Sequence, residues 1–210
     1  MGYRCEALVL GIGNVLWADE GFGVRAVEAL HANYEFPEAV RLLDGGTQGI
    51  YLFDDIASSR RVLVLDCIDF GLAPGALRVL RDREVPEWGT LKMSPHQTGF
   101  SEVLALARLR GQAPEAVTLI GVQPEQIEDL GGSLGALVKQ RLPEAVDIAA
   151  AELAAWGYPG RRREALAAVT PLNPGALGLD AYEAGRPSAA EACRIGDARV
   201  LAAAQYREGD

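Results

Sequence analysis

Basic residues are in short supply in this 210-residue chain: 20 Lys and Arg stand against 29 Asp and Glu, a net charge of −9. That balance argues against nucleic-acid binding as the main task, because phosphate contacts need a basic face. Cysteine is scarcer still. Cys5, Cys67 and Cys193 make an odd number with no C-x-x-C among them, which argues against a disulfide framework and for reduced thiols in a cytoplasmic protein. No run approaches the roughly 20 apolar residues of a membrane span, so no membrane insertion is expected. The start, Met1 to Glu6, lacks a signal peptide's apolar core. Two common hydrolytic signatures are missing as well: there is no G-x-S-x-G elbow and no H-E-x-x-H helix.

Apolar residues make up 49% and charged residues 23%, ordinary values for a globular protein with a sizeable core. The chain is organised around Leu8 to Val24. An apolar run, Ala7 to Leu10, stops at Gly11-Ile12-Gly13. Asp19 and Glu20 follow, then a helical pattern with Val24, Val27 and Leu30 at spacings of three. Strand, loop and helix in that order put Glu20 beyond a strand's carboxyl end, where open α/β sheets keep their ligand crevice.

The same punctuation recurs. Val40 to Leu43 is a second apolar run and ends in Asp44-Gly45-Gly46-Thr47. Gly49 to Ile56 reads as helical, with Ile50, Phe53 and Ile56 on one face. Arg61 to Asp66 is the clearest strand, continuously apolar as expected when both sheet faces are covered. Gly75 to Leu80 alternates like an edge strand or hairpin arm, and Pro86-Glu87-Trp88-Gly89 reads as loop. Ser94-Pro95-His96-Gln97 opens a helix to about Arg110: Ser94 suits the N-cap, Pro95 the first helical position, and Gln97 completes a capping box. Val103, Leu104 and Ala107 form its inward face. Val117 to Val122 is another buried strand entering Gly121-Val122-Gln123-Pro124. Residues 133–155 read as a helix interrupted near Pro143.

Strands alternating with helices predict a three-layer α/β fold, a mostly parallel twisted sheet flanked by helices on both faces. Residues 1–160 form that domain. Residues 161–210 read as a C-terminal tail: arginines, prolines and glycines give an extended or flexible stretch to residue 187, and Ser188 caps a possible last helix to about Ala204.

Three chemistries compete at the strand ends. Gly11-x-Gly13 after a strand suggests a dinucleotide site, with Asp44 roughly where a ribose-binding acid would stand. Leu16 occupies the third glycine's position, however, and a Trp and two acids are inserted before the helix. A second possibility is a metal site: Glu20, Asp44, Asp66 and His96 offer oxygen and imidazole donors that suit nickel, zinc or cobalt. His96 falls in the first turn of a capped helix, where the dipole disfavours imidazolium and favours the neutral ring a metal needs. The bland alternative is a set of solvated acids and a surface histidine. Cys67 with His96 would make a thiol–imidazole pair, but Cys67 directly follows Asp66, so strand alternation sends those two side chains to opposite faces. His31 reads as a helix C-terminal or surface residue.

The ordered set of motifs resembles a family, the maturation endopeptidases of nickel–iron hydrogenases. It consists of Leu10-Gly11-Ile12-Gly13-Asn14 with Asp19-Glu20-Gly21-Phe22-Gly23, Asp44-Gly45-Gly46-Thr47, Asp66 closing a strand, Ser94-Pro95-His96-Gln97 and Gly121-Val122-Gln123-Pro124. The tail, with Arg186-Pro187-Ser188 and Cys193-Arg194-Ile195-Gly196-Asp197, looks like the longer branch that serves membrane-bound uptake hydrogenases. The resemblance implies an aspartate-like or metal-dependent endopeptidase. It would cut the C-terminal extension from the hydrogenase large-subunit precursor after nickel insertion. The family's metal positions fall on Glu20, Asp66 and His96, which with Asp44 make the expected catalytic set. Asp44 matches a position linked to substrate handling and is the alternative general base on a free water, beside cleavage by a metal-polarised carbonyl or a metal-bound water. The Gly45-Gly46-Thr47 turn would then face the substrate peptide. The nickel would be supplied by the substrate, and other divalent ions suit the same donors. Two readings from other classes stand beside this one: a non-catalytic nickel-checkpoint or chaperone module, and a nucleotide-binding oxidoreductase.

Overall fold

A computed structural model describes residues 3–87, 95–164 and 169–186. Strand β1 (Cys5–Ile12) leads through a 3-10 turn (Ala18–Gly21) into α1 (Phe22–Asn33). After the two-residue β2 (Tyr34–Glu35) come β3 (Val40–Gly46), a second 3-10 turn (Gly49–Leu52), α2 (Phe53–Ala57) and β4 (Ser59–Cys67). β5 (Leu77–Arg81), the one-turn α3 (Glu84–Glu87), α4 (Pro95–Leu109) and β6 (Ala116–Val122) follow. α5 (Ala136–Lys139), α6 (Leu142–Ala155), β7 (Arg161–Arg162) and α7 (Leu179–Gly185) complete the described elements.

The five-stranded sheet has the order β3-β1-β4-β6-β5. All neighbours are parallel except β5, which pairs antiparallel with β6 at the edge. Side-chain alternation splits the core in two, as the period of a strand requires. Ala7 and Val9 of β1, with Leu63, Leu65 and Cys67 of β4, pack under α1 and α6. Leu8, Leu10 and Ile12, with Val62 and Val64, pack under α2 and α4. This is the expected three-layer α/β fold. Among the described residues no helix is long and apolar enough to cross a membrane.

Several boundaries differ from the sequence reading, each for a local reason. β3 runs on through Asp44 and Gly45 to Gly46, because it bulges at Gly45: Gly11 stands opposite Asp44 and Ile12 opposite Gly46, so the two strands stay paired. In the Gly49–Ala57 stretch the buried residues are Leu52 and Ile56, whereas Ile50 is 55% exposed. A 3-10 turn opens the segment and rotates Ile50 off the inward face. Pro86 and Glu87 close α3 instead of lying in a loop. The break before α6 falls at Gln140 and Arg141, and Pro143 sits in the first turn, where its missing N–H costs nothing. Phe100 joins Val103, Leu104 and Ala107 inside α4. Ser94 and the predicted helix 188–204 lie outside the described residues.

The described residues after α6 pack against the domain. β7 pairs antiparallel with β2, Tyr34 opposite Arg162. Residues 169–186, read from their prolines and glycines as extended or flexible, contain a 3-10 turn (Gly175–Leu177) and α7, and they lie along α1. Arg25, only 3% exposed, donates to the Leu177 carbonyl and stands 5.6 Å from the Tyr182 ring centre. His31 Nε2 donates to the Thr170 carbonyl at 2.9 Å, so the histidine at the end of α1 holds this strap in place.

Candidate active site

The sheet order creates a crevice. From β1 the chain crosses to β3 on one side, then to β4 on the other side of β1. The carboxyl ends of β1 and β4 are therefore a topological switch point, where such sheets bind ligands.

Three glycines let the backbone close up there. A Cβ on Gly23, at the start of α1, would lie 2.1 Å from the Leu65 carbonyl oxygen and 2.2 Å from that of Ile12. One on Gly11 would meet the Gly23 carbonyl at 2.4 Å, and one on Gly13 the Glu20 carbonyl at 1.9 Å. The space that a pyrophosphate would need beside Gly11 and Gly13 is filled by the protein's own backbone. The dinucleotide reading loses its glycine turn as a phosphate cradle, and the glycines serve close packing of the protein's own backbone.

Asp19 and Glu20, adjacent in the chain, meet opposite fates. Asp19 is fully buried. Its Oδ2 accepts the backbone N–H of Glu125 (2.9 Å) and of Gln126 (2.8 Å), and its Oδ1 accepts that of Gly135 (2.7 Å). A buried carboxylate held by three N–H groups is a structural pin. It ties the β1–α1 turn to the loop after β6. Ala18 beside it has φ +44, a strained conformation that the surrounding contacts impose. Glu20 stays half-buried at the turn's outer side, and desolvation raises its carboxyl pKa.

Asp66 is fully buried at the end of β4, with Oδ1 accepting the Cys67 N–H at 2.7 Å. Alternation places it on the α2/α4 side, together with Val62 and Val64. The 3-10 turn that carries Glu20 packs against β4. Beyond Asp66 the loop is fixed by Gln123, whose Oε1 accepts the N–H of Phe70 (2.7 Å) and Leu72 (3.1 Å) and whose Nε2 donates to Asp69 (3.0 Å). Gly121 admits the Phe70 ring, which a Cβ there would meet at 2.6 Å. Sequence reasoning found Gly121-Val122-Gln123-Pro124 as a turn but not this bracing role; the amide placed one residue past a buried strand was the available signal.

Cys67 faces the opposite side, among α1 and α6. Burial pushes its thiol pKa well up, and the charges of Asp66, Asp19, Glu20 and Asp69 push it further. A thiolate nucleophile is disfavoured there. These four carboxylates gather negative charge around the end of β4.

Asp44 lies opposite Gly11 in β3. Its Oδ1 accepts the Gly46 N–H at 2.8 Å, and its Oδ2 accepts Asn173 Nδ2 at 2.7 Å. Gly46 takes φ +46, and its carbonyl accepts the Gly13 N–H at 3.0 Å, so the turns after β3 and β1 are stitched together. Gly45 is buried and Thr47 exposed. α4 leads into β6, which is parallel to β4, so α4 begins at the carboxyl edge of the sheet. A Cβ on Gly99, in its first turns, would lie 3.1 Å from the Gly49 Cα. The backbone of His96 thus starts α4 beside the same turn; its side chain lies outside the described residues. Among those residues no group of three or more His, Cys, Asp or Glu side chains could hold a metal ion.

The fold and these strand ends can be set beside known proteins. A family model described as HycI, hydrogenase maturation protease, matches residues 24–152. The chain belongs to this hydrogenase maturation protease family. Among its relatives, the hydrogenase expression/formation protein HupD of Thiocapsa roseopersicina is 52% identical over 204 residues, covering 96% of this chain and 92% of that protein. The protein HoxM of Cupriavidus necator is 52% identical over 196 residues, covering 92% and 97%. The solved structure of the hydrogenase maturating endopeptidase HybD from E. coli aligns with a TM-score of 0.72 at 41% identity, covering 75% of this chain and 98% of its own. The maturation-protease match ends at residue 152, so the strap lies beyond it.

Proposed function

We propose that this protein cleaves the C-terminal extension from a nickel–iron hydrogenase large-subunit precursor once nickel has been inserted, and that it serves an uptake hydrogenase. The reading is supported by the chain's membership of the hydrogenase maturation protease family, with Glu20 following β1, Asp66 at the end of β4 and α4 starting at the same edge of the sheet. Glu20, Asp66 and His96 contact the nickel carried by the substrate. Two carboxylates and a neutral imidazole suit a borderline divalent ion and leave positions on it for the substrate's own ligands. The crevice then acts as a detector that engages only a loaded precursor.

Cleavage is hydrolytic: water adds to the peptide carbonyl and the amine departs. Both oxygens of Asp44 have partners within the protein, so we assign it to shaping the Gly45-Gly46-Thr47 turn against the substrate peptide rather than to activating water. Leu16, Trp17 and Leu130 are exposed at the rim, with Trp17 bridged to Leu130, and offer apolar surface to the precursor. The reaction takes place in the cytoplasm, without membrane insertion or nucleic acid.

The test is incubation of the purified protein with nickel-loaded and nickel-free precursor, read by mass spectrometry. Loss of a short C-terminal peptide from the loaded form alone is expected, and His96→Ala should abolish it while the protein stays folded. Tight binding to the loaded precursor without any mass loss would replace the endopeptidase by a nickel checkpoint.

A further inference from the structure

Asn173 reaches across from the strap to the turn after β3. Its Nδ2 donates to Asp44 Oδ2 at 2.7 Å and to Glu28 Oε1 at 2.8 Å. An amide nitrogen has two hydrogens, and both are used on carboxylates. Glu28 is held in turn by Arg25, at 2.9 Å. Asp44 is therefore fixed from two sides: Gly46 on one oxygen, Asn173 on the other.

From this bridge we infer that Asn173 is a positioning residue for substrate, acting through Asp44, and that the strap 169–186 is part of the substrate-handling site. The inference rests on the proposed role of the Asp44–Thr47 turn. Without Asn173 two carboxylates would face each other across the gap. Asp44 would then be free to swing away, and the Gly46 N–H that it anchors would lose its acceptor. Other contacts hold the strap without touching Asp44. Glu183 accepts Ser133 Oγ at 2.8 Å and Lys139 Nζ at 2.7 Å. Anchoring and positioning can therefore be separated by mutation.

The full-length chain should be made as wild type, Asn173→Ala, Lys139→Ala, Asp44→Asn and the double variant Asp44→Asn/Asn173→Ala. Precursor processing and amide exchange at residues 44–49 are then measured. Asn173→Ala is expected to raise KM about tenfold with kcat nearly unchanged, the signature of lost binding shared by ground and transition states. It should also speed exchange at Gly46. Lys139→Ala should do neither. The double variant should process no more slowly than Asp44→Asn, because the two residues act as one unit. A normal KM in Asn173→Ala, additive losses in the double variant, or unchanged Gly46 exchange would each overturn the inference. If the wild type leaves every precursor intact, the proposed function fails, and the exchange measurement alone still decides whether Asn173 holds the turn.

Discussion

Gly13 and Glu20 are packed so closely that a Cβ on Gly13 would lie 1.9 Å from the Glu20 carbonyl oxygen. Gly13 also has φ +138, a backbone state that side chains disfavour. Gly13→Ala must therefore push the 3-10 turn, and Glu20 with it, off the ends of the sheet. A loss of about 3 kcal/mol is expected from the clash and the strained backbone together. Urea unfolding should show a lower midpoint at an unchanged slope, and precursor processing should fall in the protein that remains folded. A wild-type midpoint would mean that the turn is far softer than its packing implies.

Asp19 tests a different link. Asp19→Asn keeps the shape but turns one acceptor oxygen into an NH2 group facing N–H donors. One or two charge-assisted bonds are lost and a buried donor is left opposed, at a cost of about 3 kcal/mol. The effect should be local first: amide exchange should accelerate at Glu125, Gln126 and Gly135, the three donors, before global unfolding. Protection retained at all three would show that the carboxylate charge is not what holds the loop.

In the sequence, Asp19 and Glu20 are neighbouring acids with equal claims on a crevice. Only the fold shows that Asp19 is a pin, because the N–H groups that bury it come from a loop more than 100 residues away. The sheet and its faces were legible, since period-two alternation and buried apolar runs are local signals. The ends of β1 and β4 were legible for the same reason, and with them Glu20 and Asp66. The passage of β3 through Asp44-Gly45-Gly46 was not, because two glycines argue against a strand, and only pairing with β1 around a bulge at Gly45 carries it through. The strap was not either. Nothing near Arg25 in the chain announces that the Leu177 carbonyl and the Tyr182 ring will cover it.

Glu152 carries a stability prediction. Burial pushes its carboxyl pKa up, but hydrogen bonds from Arg81 and Thr118 outweigh burial and leave it below the ordinary 4.5. A depressed folded value means stability that is present above the unfolded pKa and lost as pH falls through the folded one. Glu152→Gln should therefore cost about 1–2 kcal/mol at pH 7, and the difference from wild type should shrink below pH 4.5. A difference independent of pH would assign the effect to packing alone.

Cys67 should be dispensable for chemistry. It is 4% exposed, and burial with neighbouring acids raises its thiol pKa well above the usual range. Iodoacetamide should leave it unmodified in the native protein. Cys67→Ala should cleave the precursor at the wild-type rate while losing about 1 kcal/mol of stability to the vacated volume. Abolished cleavage in a folded Cys67→Ala protein would revive the thiol mechanism.

The role proposed for Glu20 predicts the opposite combination, function without stabilisation. Desolvation is what raises its pKa, so the folded protein holds that proton more tightly than the unfolded chain does. The ionised form, required to meet a cation, is therefore the form the fold disfavours. Two consequences can be measured. Processing should decline on acidification at pH values above the ordinary carboxyl value of 4.5, earlier than solvated carboxylates alone would dictate. Glu20→Gln, which removes the charge and keeps the shape, should abolish nickel-dependent cleavage yet unfold at or slightly above the wild-type temperature at pH 7. A lower melting temperature would show that Glu20 stabilises the turn rather than waiting for a ligand. Unimpaired cleavage by the glutamine variant would remove it from the site.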